Sequence, residues 1–331
     1  MAYQALWITE AEVTALINLR DAIAALERGL ADEAAGGAVN MEKTHATFGR
    51  GDTLHAIGAT MAAQGIVGTK TWAHTEGGAN PLLILFDAAD GRVLAVIEAF
   101  ALGQLRTAAL SAIATRRLAA PQACEMAVIG AGKQALAQVA AVAVVRRLRR
   151  VRVASRNPEN AAAFAKRAGA DLRLEFEPCE SVAAAVKDAD IITLITRATE
   201  PFLRSEMVGR GAHINAVGAV VPERAEFEPS ILARCAVVAA DTPAGVRSLS
   251  REFMEFYGDD DRAWDTVAPL SRVVVSARGR PAGADLTLFK AMGMGISDLS
   301  MGIEVLRRAR INDMGRPLAP TIRAKPQFAV N

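Results

Sequence analysis

The hydrophobic rhythm of the chain changes twice. Residues 9–35 carry apolar positions at helical spacing. Thr9-Glu10-Ala11-Glu12 forms a capping box, in which the Thr9 hydroxyl caps a first helix and Glu12 reaches back. A second helix, roughly residues 20–35, stops at Gly36-Gly37. Short apolar and β-branched runs then predict strands at 41–48, 53–61, 66–74 and 82–86. Asp90-Gly91 is a hairpin signal that returns the chain through a strand at 93–98. A helix over about 102–119 ends before Pro121.

From Met126 the rhythm becomes strand alternating with helix. Strands are expected at 126–129, 151–154, 191–195, 213–217, 237–239 and 272–275. Helices fall between them at 157–168, 181–189 and 229–234. A further short strand at 286–290 precedes a helix of small and apolar residues at 292–310. Such alternation predicts an α/β protein with a central, Rossmann-like, doubly wound parallel sheet. The N-terminal third and the C-terminal helix then form an α+β substrate and dimerisation domain, residues 1–120 with 292–331. The dinucleotide-binding domain is 121–291.

The most informative stretch is Met126–Ala135. An apolar strand ends in Gly130-Ala131-Gly132, and a helix-friendly run from Lys133 follows at once. Gly130 permits a sharp turn. Gly132 lets the backbone approach a pyrophosphate, and the free N–H groups at Lys133 and Gln134 supply donors. Ala135 stands where the third glycine of the fingerprint falls. The next strand ends in Ser155-Arg156-Asn157, where the adenosine ribose should lie about 20–25 residues beyond the glycines. An acidic residue there would favour NAD. A hydroxyl and a guanidinium suit the 2′-phosphate, so NADPH is expected over NADH.

Composition narrows this only a little. At 331 residues, with 51% hydrophobic residues and net charge +2, the chain reads as a two-domain globular protein. Nothing calls for nucleic acid, and the cluster Arg146-Arg147-Leu148-Arg149-Arg150 reads as the solvated end of a helix. Cys124, Cys179 and Cys235 have no metal-type spacing and fit buried thiols in a reducing cytoplasm. No metal site is expected. Residues 1–7 lack the basic start and apolar core of a signal peptide. No apolar run reaches the roughly 18 residues of a membrane span.

Four blocks carry a resemblance. They are Val-Ile-Gly-Ala-Gly-Lys-Gln-Ala at 128–135, Leu-Arg-Thr-Ala-Ala-Leu-Ser-Ala-Ile-Ala at 105–114, His-Ile-Asn-Ala-Val-Gly-Ala at 213–219, and Asp-Leu-Thr-Leu-Phe-Lys-Ala-Met-Gly at 285–293 with Asp298-Leu299 after it. On these the chain resembles the ornithine cyclodeaminase/mu-crystallin family over nearly its whole length. The resemblance implies a nicotinamide cofactor working on a carbon–nitrogen bond beside a carboxylate, in a homodimer whose N-terminal domains pair.

It also implies roles for particular residues. Lys70 matches the active-site lysine; an amine beside an imine can hold a carboxylate or, if burial lowers its pKa, donate a proton. Arg106 matches a substrate or cofactor arginine whose fork suits a carboxylate. Thr107 is expected beside the pyrophosphate or the nicotinamide ribose. Lys43 falls in the substrate pocket, and His55 falls where many relatives place a carboxylate-binding arginine. A histidine there is a weaker, pH-dependent clamp. Three of the four histidines, His45, His55 and His74, lie close enough in sequence to share one cavity. Thr196, Asn215 and Val217, at later strand ends, complete the expected cofactor contacts.

One departure bears on the reaction. After Gly218-Ala219, cyclodeaminases of the family carry an acid–base aspartate, and this chain has Val220. Glu223 and Glu226 are expected to face solvent or the following helix. Cyclodeamination needs several proton transfers, whereas reduction of a formed imine needs fewer. The expected activity is therefore an NADPH-dependent 2-imino-acid reductase. The alternatives are an ornithine cyclodeaminase, an alanine-type amino-acid dehydrogenase, or a non-catalytic NADP-binding protein.

Overall fold

The computed structural model describes residues 4–277, 279–320, 322 and 324–328. Residues 1–3 and 329–331, placed above at the ends of the first domain, lie outside these, as does the start of the segment tested for a leader peptide.

Strand β1 (Leu6–Ile8) leads into α1 (Glu10–Leu16), which opens on the expected capping box: the Thr9 N–H donates to the Glu12 carboxylate at 2.8 Å. A second box, Asn18 with Asp21, opens α2 (Leu19–Ala34). Its buried residues Ala22, Ile23, Leu26 and Leu30 recur at helical spacing, so one stripe faces the core. Seven strands follow: β2 (Ala38–Asn40), β3 (Thr44–Phe48), β4 (Asp52–Met61), β5 (Ile66–Thr75), β6 (Gly78–Ala79), β7 (Leu82–Asp87) and β8 (Val93–Glu98). Residues 41–43, expected as strand, precede β3 instead, and Lys43 lies there. The sheet runs β1-β8-β7-β5-β4-β2, with β3 paired to β4 and β6 to β5. Lys70 sits mid-sheet, opposite Ile57 on one side and Leu83 on the other.

Helix α3 (Phe100–Leu118) is buried without interruption from Ala108 to Thr115. A helix apolar on every face must be covered on every face, and α3 packs on both α2 and the second sheet. The last carbonyls of any helix lack internal donors. Here the Arg146 guanidinium supplies them, donating to the carbonyls of Thr115 (2.9 Å), Arg116 (3.1 Å) and Ala119 (3.1 Å). The basic cluster is therefore only in part a solvated helix end: Arg147 and Arg149 are exposed, and Arg146 is turned onto α3. Leu148 is buried, and Arg149 and Arg150 pair with Glu125.

The second sheet contains β9 (Glu125–Ile129), α4 (Ala135–Val145), β10 (Arg150–Ala154), α5 (Pro158–Leu172), β11 (Glu175–Pro178), α6 (Val182–Val186), β12 (Ile191–Leu194) and β13 (His213–Ala216). It continues with β14 (Cys235–Ala240), α7 (Pro243–Leu249), α8 (Arg251–Tyr257), α9 (Asp261–Trp264), β15 (Val267–Pro269), α10 (Leu270–Val275) and β16 (Leu286–Lys290). All eight strands are parallel, in the order β11-β10-β9-β12-β13-β16-β14-β15. This is the expected doubly wound sheet. The winding reverses between β9 and β12, which opens a crevice at their carboxyl ends.

Several expectations change. Residues 272–275 are helical, not a strand: Leu270, Ser271, Val273 and Val274 are buried at helical spacing while Val275 is exposed, so packing overrides β-branched propensity. Pro229–Arg234 forms a 3₁₀ helix. The three cysteines are half-buried rather than buried. Helix α11 (Gly295–Ile311) starts three residues later than expected and packs on α2, β4, β5 and β7, joining the first sheet as anticipated. A side chain at Gly295 would collide with the Gly58 carbonyl, so glycine is what lets the start of α11 lie on β4. The short β17 (Arg316–Pro317) then pairs with β1.

Candidate active site

Strand β5, the first half of α3 and the start of α11 converge on one buried carboxylate. Lys70 Nζ donates to Asp298 Oδ1 at 2.5 Å, and Arg106 Nε lies 3.4 Å from the same oxygen. Both Lys70 and Asp298 are buried. Burial penalises the ammonium more than Asp298 supports it, and the charges of Arg106 and Lys43 add to the penalty. The Lys70 pKa is thereby lowered to about 8. Lys43 is itself pushed down, first by burial and then by Arg106. The structure thus brings Lys43, Lys70 and Arg106 to one place, and the Asp298 Oδ2 atom is buried without a hydrogen bond. Such a surplus of cations suits an anionic ligand.

His55 flanks this group. Its ring stacks on Trp72 (centroids 4.7 Å apart) and on His45 (5.6 Å), and Lys70 Nζ stands 5.3 Å from the Trp72 centroid. Burial, then Lys43, His45 and His74, lower the His55 pKa. Burial and the neighbouring charges thus both disfavour the protonated form of the His55 ring. That weakens it as a charged clamp for a carboxylate, while Arg106 and Lys43 stand nearby as cations. His55 instead bonds Thr53 Oγ1 through Nε2 at 2.7 Å, leaving Nδ1 buried and unbonded.

The glycine turn follows β9. Gly130 has φ +118°, a conformation that favours glycine, and a side chain there would strike the Ile195 carbonyl beyond β12. The turn lies at the crevice. No atom lies within 4 Å of the direction a Gly132 side chain would take. Helix α4 has no side-chain cap, so the N–H groups around Lys133 and Gln134 are not taken by one, and Gln134 Oε1 is buried without a partner. Ala135 is fully buried, as close packing of helix on strand requires. Open backbone and uncapped N–H donors fit a dinucleotide pyrophosphate. Ser155 and Arg156 follow β10 beside this turn, where the Gly130 N–H donates to the Ala154 carbonyl, and Arg156 is exposed.

Other expected cofactor side chains are committed elsewhere. Asn157 caps α5, accepting from the Glu159 N–H at 2.8 Å. Thr107 Oγ1 bonds the Gly103 carbonyl. Asn215 is buried in a polar spine with His213 Nε2 (3.1 Å) and Thr115 Oγ1 (2.9 Å), where burial lowers the His213 pKa to about 3. Val217 is in the core, and Thr196 bonds Glu226. Asn215 and Val217 are thus buried, and the side chains of Thr107, Asn157 and Thr196 are already hydrogen-bonded within the protein. The largest surprise is Glu226, expected to face solvent or the following helix and found fully buried, bonded to the loops after β12 and β13.

A Rossmann-type sheet with an open glycine turn, joined to a buried lysine–aspartate–arginine cluster, defines a dinucleotide-dependent oxidoreductase architecture. The sequence profile of the ornithine cyclodeaminase/mu-crystallin family matches residues 4–312, and the chain belongs to that family. It is similar to the ketimine reductase mu-crystallin of Mus musculus, 33% identical over 254 residues, covering 74% of this chain and 77% of that one. It is also similar to the iminosuccinate reductase of Paracoccus denitrificans, 30% identical over 92% of this chain and 96% of that one. The crystal structure of that reductase with NAD+ superposes with TM-score 0.89 at 27% identity, covering 96% of this chain and all of the other. The fold is shared too with the Thermococcus litoralis Δ(1)-pyrroline-2-carboxylate reductase solved with NADH and L-proline, at TM-score 0.87 and 24% identity over 95% of this chain and all of that one.

Proposed function

We propose that this chain reduces 2-imino acids with a nicotinamide dinucleotide, preferring NADPH. The observation that carries this is geometric: the buried amine of Lys70 donates to Asp298 at 2.5 Å beside Arg106 and Lys43, a setting in which burial lowers its pKa to about 8. The relatives named as ketimine and iminosuccinate reductases support the same reading. A bound dinucleotide would supply the hydride for the imine carbon. Arg106 and Lys43 bind the carboxylate of the substrate, and Lys70 donates a proton to the imine nitrogen, which becomes an amine. Asp298 keeps the ammonium of Lys70 charged and aimed. Val220 carries no proton, Glu223 is exposed, and Glu226 is occupied by four donors, so the extra base that deamination needs is absent from these positions.

Exposed Arg156 after Ser155 supports the NADPH preference, since its guanidinium suits a 2′-phosphate. The protein also pairs as a homodimer through the edge formed by β2–β4, where Val39, Met41, Phe48 and Leu54 are exposed.

The test is a spectrophotometric panel. The chain is mixed with NADPH or NADH and pyrroline-2-carboxylate, piperideine-2-carboxylate, or pyruvate with methylamine. At least one imine should oxidise NADPH faster than NADH. Ammonia release from ornithine with no imine reduction would overturn the reaction, and faster turnover with NADH would overturn the cofactor preference.

A further inference from the structure

Glu226 sits where a charged residue would ordinarily be avoided. It is fully buried in the segment after β13 and is no part of the lysine cluster. Its Oε1 accepts from the Thr196 N–H (2.6 Å) and the Thr196 hydroxyl (2.8 Å). Its Oε2 accepts from the N–H groups of Gly218 (2.8 Å) and Ala219 (3.1 Å). Thr196 lies just past β12, and Gly218 and Ala219 lie just past β13. One carboxylate therefore ties together the loops leaving two adjacent parallel strands, at the carboxyl edge where a dinucleotide lies in this fold.

The surroundings reinforce the tie. The Glu226 N–H donates to Glu252 Oε1 at 3.0 Å. Buried Lys290 donates to the Ala219 carbonyl at 2.6 Å and stands 3.8 Å from Glu252 Oε2. The Ala219 peptide is thus held at its N–H by Glu226 and at its C=O by Lys290. A side chain at Gly218 would collide with the Thr196 backbone and with Glu226 itself, so the loops touch with nothing between them.

We infer that Glu226 is a positioning residue for the nicotinamide half of the cofactor: it sets the wall of the crevice formed by residues 196 and 217–219 and makes no contact with the reacting atoms. The inference rests on the dinucleotide reading above. The adenosine half, at Gly130–Gly132 and Ser155–Arg156, lies on the β9–β10 side and does not depend on Glu226.

That division supplies the test. Glu226→Gln keeps the volume but turns an N–H₂ toward one pair of donors, and a hydrogen bond to a charged group is among the stronger ones lost. Dissociation constants for NADPH and for 2′,5′-ADP, the adenosine-half fragment, are measured on wild type and variant by calorimetry, alongside kcat for imine reduction. The expected result is a loss of NADPH affinity or kcat of about tenfold or more, which is about 1.4 kcal/mol, with 2′,5′-ADP affinity unchanged. Equal weakening of both ligands would mean a merely structural role, and unchanged values for NADPH and kcat would mean no role; either overturns the inference. Wild type that binds neither NADPH, NADH nor the fragment instead removes the cofactor reading on which it rests. Should Glu226→Gln not fold, Thr196→Val, which removes one donor to the same carboxylate, is read by the same comparison.

Discussion

At the scale of single residues, the site works by setting burial against charge. An ordinary lysine holds its proton far above neutrality and gives it up slowly to an imine. Lys70 is brought near the working range by desolvation, with Arg106 and Lys43 pushing the same way, while Asp298 restrains the fall. Replacing Asp298 with Asn removes the restraint. The folded pKa of Lys70 then drops further, and the protonated donor is lost at lower pH. The falling limb of kcat/KM for imine reduction should therefore move to more acid pH in Asp298→Asn; a limb left in place would show that Asp298 does not tune the lysine. Arg106 was legible in the sequence because it sits in the block at 105–114, and Lys70 because the family resemblance singles it out. Their partnership with Asp298 was not, because 228 residues separate Lys70 from it and nothing local on α11 marks a carboxylate as buried. Glu226 was misread for the opposite reason. A loop glutamate is normally solvated, and only the tertiary arrangement of four donors makes its burial tolerable.

At the scale of elements, the period of the pattern was the most reliable guide. The parallel sheet and six of its strands, β9, β10, β12, β13, β14 and β16, followed from apolar runs alternating with helices, and the capping box at Thr9–Glu12 marked the start of α1 to the residue. What failed were short segments whose state is decided by packing. Val273 and Val274 favour a strand by propensity, yet α10 buries them. Strands β1, β2, β11 and β15 have three or four residues each and no periodicity to detect. The hairpin region also carries a prediction. β2 lies at the sheet edge, β3 is exposed along its whole length, and Phe48 and Leu54 add uncovered apolar surface. The chain of 34.9 kDa should have twice that mass by light scattering, and Leu54→Arg should shift it toward one copy. A monomeric wild type would contradict the proposed pairing.

At the scale of the whole molecule, α3 connects the two halves of the chemistry. Its first half carries Arg106 to Asp298, and its far end places Thr115 against Asn215 under β13. The helix is buried from Ala108 to Thr115, so the lysine cluster and the cofactor crevice are held in fixed relation by one rigid element. Among the described residues, no helix is long and apolar enough to cross a membrane. The doubly wound sheet, the helix shared with the first sheet and the glycine turn could all be read before the structure. The common anchor of the cations at Asp298 and the loop tie at Glu226 emerge only once distant segments meet.

The central claim, that Lys70 is the proton donor for imine reduction, is tested most directly by the pH profile of kcat/KM for the best imine of the panel. Only the protonated amine donates, so activity should be full below the Lys70 pKa and fall as pH rises through about 8. Lys70→Met should lower kcat by about 10²- to 10⁴-fold, the usual range for a positioned acid. It should also abolish that limb while binding the dinucleotide as tightly as wild type. A Lys70→Met variant that keeps both its rate and the falling limb near pH 8 would contradict the account.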